Sequence, residues 1–73
     1  MKFMNRIPVS SSDLASVGYD PDTQILEIEF NTGSIYQYSN VPQIVHEGLM
    51  SAPSCGQYFH REVKDSYGCN KVG

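Results

Sequence analysis

The sequence predicts an α+β domain: a three-stranded antiparallel meander followed by two helices packed on one sheet face. Two observations support this class. Residues 14–39 contain short segments of alternating apolar side chains separated by turns, as strands do. After Pro42 the apolar side chains recur at helical spacing instead. The chain has 73 residues, so it forms one domain near the lower size limit for folding without disulfides or partners.

The three predicted strands are separated by two turns. Residues 14–20 alternate apolar with small side chains and form the first strand. The Asp-Pro-Asp-Thr sequence at 20–23 is a turn, because proline presets one backbone dihedral and aspartate bonds the nearby backbone. Residues 24–30 form the second strand. A turn at 31–33 then leads into the third strand, residues 34–39.

The second strand has the clearest alternation in the chain. Leu26, Ile28 and Phe30 fall on one face, which is predicted to be the core face. Glu27 and Glu29 fall on the other face. We expect these two glutamates to be exposed, where they favour solubility and protect the sheet from edge pairing. Catalytic carboxylates need burial or a close partner, so a catalytic pair is not predicted here.

The first helix is predicted to begin near Pro42, where the missing N–H is tolerated, and to run for about ten residues. Its apolar side chains share one face: Ile44, Val45, Leu49 and Ala52. The second helix begins at Ser54 with Gln57 as the other half of a capping box, and it ends at Gly68. Its predicted buried stripe has members four residues apart: Cys55, Phe59, Val63 and Tyr67.

Composition and charge limit the possible functions. The net charge of −3 argues against general affinity for a phosphate backbone, which requires a basic field. The apolar runs are too short to span a membrane, and the N-terminus lacks the apolar region of a secretory signal. A cytoplasmic location is therefore expected, with Cys55 and Cys69 as free thiols. Residues 1–8 are predicted to be a flexible lead and residues 69–73 a tail.

The sequence resembles the KTSC domain family over roughly residues 9–68. The matching residues are spread through the strands and helices: Gly18-Tyr19-Asp20, Leu26-x-Ile28-x-Phe30, Gly33, Tyr36-x-Tyr38, Val41-Pro42, Ala52-x-Ser54-x-Gly56, Phe59 and Tyr67. The family is named for its occurrence at the C-terminus of some lysyl-tRNA synthetases. It also occurs as small stand-alone bacterial and phage proteins. The synthetase context implies RNA binding, and the central mark of the family is the Tyr-x-Tyr motif.

Tyr36 and Tyr38 project from the same face of the third strand, and two interpretations are open. If the rings are exposed, bases can stack on them while Arg61 or Lys64 supplies positive charge. Alternatively, both rings pack beneath the helices and keep their hydroxyls at the rim. A chain with no tryptophan needs tyrosine in its core, which favours the second interpretation.

Ser54 and Gly56 also have two interpretations. The start of a helix presents unpaired N–H groups and a positive dipole end, so a phosphate or carboxylate could bind there beside Arg61 and Lys64. The alternative is that Ser54 only caps the helix, while Gly56 makes room for a neighbouring strand or tyrosine ring.

No catalytic residue, metal site or cofactor is predicted. Cys55 lacks an evident base, because His60 lies about 140° around the helix and His46 belongs to the other helix. These three residues and Cys69 could ligate zinc, but no Cys-x-x-Cys pair is present. The chain is not predicted to be an enzyme.

The leading prediction is a non-enzymatic module that binds RNA or a nucleotide through Tyr36, Tyr38 and the start of the second helix. The alternative is a protein–protein interaction module or regulator. Acidic charge and an exposed Ile25 beside Glu27 and Glu29 would suit docking to a basic partner surface.

Overall fold

A computed structural model describes residues 6–73 as a five-stranded antiparallel sheet with helices over one face. The strands follow chain order across the sheet: β1 (Ile7–Pro8), β2 (Leu14–Asp20), β3 (Ile25–Phe30), β4 (Ile35–Tyr38) and β5 (Cys69–Lys71). Between β4 and β5 the chain forms α1 (Gln43–Ser51) and α2 (Cys55–Tyr58), which continues as a π-helical turn (Phe59–Val63). The predicted α+β class is confirmed.

The predicted three-stranded meander was incomplete, because the sheet has one further strand at each edge. Ile7 pairs with Val17 of β2, and Lys71 pairs with Tyr36 of β4. Both edge strands lie in segments predicted to be a lead or a tail. Strands of two or three residues are too short to show an alternating pattern, so sequence reasoning missed them. Residues 1–5 lie outside the described part of the chain.

The core lies between the sheet and the helices. Leu26 and Ile28 of β3 are fully buried on the predicted face. From the second helix, Phe59 and Val63 are buried, which confirms the centre of the predicted stripe. The buried apolar side chains form one cluster: Leu14, Val17, Leu26, Ile28, Tyr38, Val41, Leu49, Phe59 and Val63.

The second helix ends earlier than predicted. The N–H of Lys64 donates to the carbonyl of Phe59 at 2.9 Å, which closes the wide turn, and the helix ends at Val63. The chain then returns to the sheet, where the N–H of Ser39 donates to the carbonyl of Gly68 at 2.9 Å. In residues 6–73, no helix is long and apolar enough to cross a membrane.

α1 contacts both the sheet and the second helix. The ring of His46 stacks on Tyr19 of β2, with centroids 4.7 Å apart, and burial lowers the pKa of His46. The hydroxyl of Tyr19 donates to the carbonyl of Val41. Tyr58 lies against Gly48, where an added Cβ would be 2.3 Å from the tyrosine oxygen. A side chain at this glycine would therefore displace the ring of Tyr58.

The prediction that Glu27 and Glu29 are exposed was wrong, most clearly for Glu27, which is 1% exposed. Its carboxylate accepts hydrogen bonds from the guanidinium of Arg6 and, at 2.9 Å, from Nε2 of Gln37. The hydroxyl of Ser16 accepts from Nε of Arg6 at 3.0 Å and donates to the half-buried Glu29 at 2.8 Å. Alternation placed these residues on the outer face, but it did not reveal that Arg6 covers them. We call these five residues the outer-face network.

Candidate functional site

The two tyrosines of β4 have different surroundings. Tyr38 is 4% exposed, and its ring packs edge-on against Phe59 with centroids 5.4 Å apart. Burial raises the pKa of Tyr38 to about 12. Tyr36 is only half-buried and packs edge-on against Phe30 at 5.6 Å. A ligand cannot stack on Tyr38, so that part of the prediction was wrong and the core interpretation holds for this residue.

The start of the second helix has a structural explanation. The hydroxyl of Ser54 accepts the N–H of Gln57 at 3.3 Å, so the predicted cap is present. Gly56 is buried, and an added Cβ would lie 3.0 Å from Oγ of Ser11 and 3.6 Å from Oδ2 of Asp13. Glycine at this position allows the helix to approach the loop before β2. The close neighbour is thus a loop of the same chain, which neither interpretation of Gly56 specified.

The two predicted cations, Arg61 and Lys64, have different surroundings. Nε of Arg61 donates to Glu62 at 3.0 Å, and the guanidinium lies 5.7 Å from the centre of the Tyr58 ring. Lys64 is exposed on the turn that ends the helix. Tyr38 and Gly56 are buried, whereas Arg61 and Lys64 are exposed. The six predicted site residues therefore do not form one accessible surface.

A cleft of about 260 Å³ opens where the loop before β2, the end of β3 and the second helix meet. Its lining combines one aromatic ring with polar side chains: Ser12, Asp13, Phe30, Asn31, Thr32 and His60. Nε2 of His60 lies 3.0 Å from Oδ2 of Asp13, and both side chains are about half exposed. We call this feature the His60 cleft.

Hydrogen bonds hold the loop that carries Asp13. Oγ of Ser11 accepts the N–H groups of Asp13 and Leu14 at 3.2 and 3.3 Å. The side-chain amide of Asn31 donates to the carbonyls of Ser11 and Ser12 at 3.1 and 2.8 Å. The backbone N–H of Asn31 donates to the carbonyl of Asp13 at 2.9 Å. The carboxylate of Asp13 is therefore presented from a fixed backbone, as a binding residue requires.

An aromatic surface continues from the cleft toward the edge of the sheet. Phe30 is half-buried and makes edge contacts with Phe59 at 5.5 Å and with Tyr36 at 5.6 Å. Across the ladder, Tyr36 is paired with the exposed Lys71 of β5. Paired residues on antiparallel strands lie close enough for their side chains to interact. We call Phe30, Tyr36 and Lys71 the aromatic edge.

Sequence reasoning missed the His60 cleft, although part of the signal was present. In the predicted meander, the start of the first strand and the end of the second must be neighbours, and Leu14 does pair with Phe30. That pairing brings Asp13 beside Asn31. His60 could not be placed in the same way, because its position depends on how the helix packs across the sheet.

The surroundings of the histidines and cysteines bear on metal binding and thiol chemistry in residues 6–73. In the described residues, no group of three or more His, Cys, Asp or Glu side chains could hold a metal ion. Cys55 and Cys69 are free thiols. Sγ of Cys55 lies 3.4 Å from the carbonyl oxygen of Leu49, whereas His60 is bonded to Asp13.

The fold and the cleft together define a small α+β domain, with a meander extended by one edge strand on either side and a polar cleft beside its second helix. The KTSC domain model matches residues 10–67. The chain therefore belongs to the KTSC domain family, and the resemblance seen in the sequence is confirmed.

Three similar proteins illustrate where such domains occur. The crystal structure of a KTSC domain protein from Yersinia pestis is 46% identical, has a TM-score of 0.93, and covers 97% of this chain and 100% of its own. An uncharacterised protein of Stutzerimonas stutzeri is 44% identical over 64 residues, 88% of this chain and 90% of the relative. A lysine–tRNA ligase of Nostoc is 53% identical over 49 residues. That match covers 67% of this chain but only 9% of the ligase.

Proposed function

We propose that this KTSC domain is a non-enzymatic module that binds single-stranded RNA or a nucleotide. The aromatic edge carries the proposal, because Phe30 and Tyr36 are partly exposed rings, Tyr36 is paired with a lysine, and Phe30 lines a cleft. Single-stranded nucleic acids bind to surfaces that combine stacking rings with positive charge. Compared with the sequence prediction, Phe30 replaces Tyr38 as the second ring, and Lys71, paired with Tyr36 across the ladder, supplies the positive charge.

The charge of the protein determines what kind of binding is possible. With a net charge of −3, affinity cannot come from a general attraction to phosphates. Stacking contributes about 1–3 kcal/mol per base and does not depend on net charge. Lys71 and Lys64 are exposed, and neither forms an ion pair with another of residues 6–73. Each can contact at most a phosphate or two, so the salt dependence should be shallow.

The relatives support RNA as the ligand class. Proteins named lysine–tRNA ligase in three cyanobacteria contain a segment similar to this chain. A protein with that name acts on tRNA, so domains of this family occur in proteins that handle RNA. The similar segment is 9–10% of each ligase. The relatives therefore support contact with RNA for this domain, and not the ligase activity.

Fluorescence anisotropy with labelled single-stranded RNA and with nucleotides, at low and moderate salt, tests the proposal. Tyr36→Leu should weaken binding about tenfold, because it removes a stacking ring. Tyr36→Phe keeps the ring and should bind within about twofold of the parent, by the same reasoning.

Lys71→Gln should weaken binding and lower the salt slope by about 1. Arg61→Gln is its matched control, since it also removes one positive charge, but from a guanidinium already paired with Glu62. If the parent protein binds no RNA and no nucleotide at low salt, the proposed function is wrong.

A protein partner is the second candidate function. Among residues 6–73, three large apolar side chains are exposed: Ile7, Ile44 and Val72, and Ile44 of α1 is 74% exposed. The acidic docking surface predicted around Ile25 is not available, because Ile25 is half-buried and Glu27 is bonded to Arg6. A stoichiometric complex that survives nuclease treatment and is lost in Ile44→Lys would favour this candidate. A cytoplasmic location suits either function and stays a prediction.

A further inference from the structure

We infer that the His60 cleft is a base-binding subsite that selects guanine through the carboxylate of Asp13. The inference rests on the proposed function, since it names the base that the RNA or nucleotide would present at this position. It concerns a group of residues that lies beside the aromatic edge and contains none of the six residues predicted from the sequence.

The size of the cleft limits what it can hold. Pockets for whole small molecules have volumes of about 300–1,000 Å³. The His60 cleft, at about 260 Å³, lies just below that range and is open on one side. It therefore fits one ring system, with the rest of the ligand outside. The aromatic edge leads out of the cleft and offers Tyr36 to the sugar or to the next base.

Phe30 provides the stacking face of the cleft. Edge contacts with Tyr36 and Phe59 fix the ring from two directions, with interplanar angles of 82° and 71°. The ring is half-buried and lines the cleft, so part of it remains available. A base stacked there would replace water on an apolar surface, and every base has the flat face that this requires. Selection among bases must therefore come from the polar side chains.

The fixed polar groups of the cleft are mainly hydrogen-bond acceptors. Asp13 presents a carboxylate that is about half exposed and uses Oδ2 to bind His60. The amide nitrogen of Asn31 already donates to the carbonyls of Ser11 and Ser12. The amide oxygen is the group that Asn31 has left for a ligand. Ser12 and Thr32 add hydroxyls, which can donate or accept.

An acceptor-rich cleft favours a base edge with adjacent donors. The Watson–Crick edge of guanine carries N1–H beside the 2-amino group, so one carboxylate can accept from both. Adenine and cytosine place one amino donor beside a ring nitrogen that accepts, and uracil has a single N–H between two carbonyls. A carboxylate facing those acceptors is repelled. A good bidentate pair of this kind discriminates between bases by about tenfold or more.

The position of Asp13 makes this selection effective. Its backbone is held by Ser11 on one side and by Asn31 on the other, and Gly56 lets the second helix close against the loop. The carboxylate needs no rearrangement to meet a base, so little conformational entropy is lost on binding. His60 contacts Oδ2, which can accept a second hydrogen bond, and Oδ1 has no hydrogen-bond partner among residues 6–73, so both oxygens can accept from the base.

The test uses short uridine-only RNA oligomers that carry one central guanosine, inosine or adenosine. Anisotropy should show the guanosine oligomer bound about tenfold or more tightly than the adenosine oligomer. Inosine keeps N1–H but lacks the 2-amino group, so its oligomer should bind with intermediate affinity. Competition by GMP and AMP in the same assay shows whether a free nucleotide alone fills the cleft.

Asp13→Asn should bring guanosine and adenosine oligomers to within about twofold of each other, because an amide cannot accept two hydrogen bonds from guanine at one edge. Binding of the adenosine oligomer should become tighter, because the neutral amide no longer repels the ring nitrogen of adenine and can donate to it. Asp22→Asn is the matched control, since it removes one exposed carboxylate from the turn at the other end of β2. It should leave the preference for guanosine unchanged.

The outcomes separate the inference from the proposed function. Equal binding of all three oligomers, with no effect of Asp13→Asn, would overturn guanine selection and leave RNA binding intact. If no oligomer and no nucleotide binds, both are wrong. A preference for guanosine that persists in Asp13→Asn would also overturn the role of Asp13.

Discussion

Two polar clusters on this small domain use similar side chains in opposite ways. In the outer-face network, the side chain of Glu27 is buried, and each of its carboxylate oxygens accepts a hydrogen bond, one from Arg6 and one from Gln37. In the His60 cleft, the side chain of Asp13 is 52% exposed, and its carboxylate has one side-chain partner among the described residues, His60. Within the described residues, no buried side-chain nitrogen or oxygen lacks a hydrogen-bond partner, so every buried polar atom of the outer-face network is paired.

The difference indicates which cluster can bind a ligand. A buried network whose members satisfy one another has no donor or acceptor left, and removing a member leaves a buried charge without its partner. A cluster fixed by its backbone, with its carboxylate open to solvent, has free acceptors and loses little stability when altered. We therefore assign the outer-face network to stability and the His60 cleft to binding.

The largest expected effect is on the outer-face network. Glu27→Ala should lower the free energy of unfolding by about 3 kcal/mol, because it leaves the guanidinium of Arg6 without its carboxylate. Urea denaturation followed by circular dichroism measures this change. Glu62→Ala removes an exposed glutamate and should change stability by less than about 0.5 kcal/mol. Equal losses of stability in the two variants would contradict the distinction between buried, hydrogen-bonded carboxylates and solvent-exposed ones.

The two tyrosines of β4 extend the comparison to pH. The pKa of Tyr38 rises from 10.0 to about 12 through burial, so the unfolded chain releases this proton first. The neutral Tyr38 hydroxyl therefore favours the folded state, and this contribution to the free energy of unfolding is fully present below pH 10. As the pH rises from 10 to about 12, the free energy of unfolding should fall by roughly 2 kcal/mol. Urea denaturation across this range should show the loss in the parent and in Tyr36→Phe. Tyr38→Phe should lack it, and identical curves for all three proteins would refute the assignment.

A smaller effect is expected at the support of the cleft. Asn31→Ala removes two hydrogen bonds to the loop carbonyls and should lower stability by about 1 kcal/mol. Hydrogen exchange should accelerate at the amides of Asp13 and Leu14 but not at that of Glu27, since the loosening is local. RNA affinity should fall as well. Unchanged exchange at Asp13 would show that Asn31 does not hold this loop.

The smallest effect on stability is expected for Asp13→Asn. The pair that Asp13 forms with His60 is about half exposed, so its loss should change the free energy of unfolding by no more than about 0.5 kcal/mol. Thermal unfolding at neutral pH measures this. A loss comparable to that of Glu27→Ala would mean that the cleft residues are also structural.

The sequence predicted the fold better than the site. The alternation of Leu26 and Ile28 with polar residues placed β3 correctly, and the spacing of Phe59 and Val63 identified the buried face of the second helix. Those predictions succeeded because each depends on apolar side chains that recur at a regular spacing within one short segment. The edge strands escaped detection because Ile7–Pro8 and Cys69–Lys71 are too short to have one.

The candidate site depended on contacts that the local pattern does not encode. Tyr36 and Tyr38 lie on the same face of β4, yet Phe59 packs against Tyr38 and buries it, while Tyr36 is only half-buried. Asp13 and His60 are 47 positions apart, and their contact depends on how the helix crosses the sheet. Only the neighbouring positions of Asp13 and Asn31 could have been deduced from the predicted meander.

The most direct test of the central claim is an amide NMR titration of the parent protein with the guanosine oligomer. We expect shifts at the residues of the His60 cleft and at Tyr36, with little change at Ser16, Glu27 and Gln37. Shifts centred on the outer-face network, or no shifts at saturating RNA, would contradict the assignment of binding to the cleft.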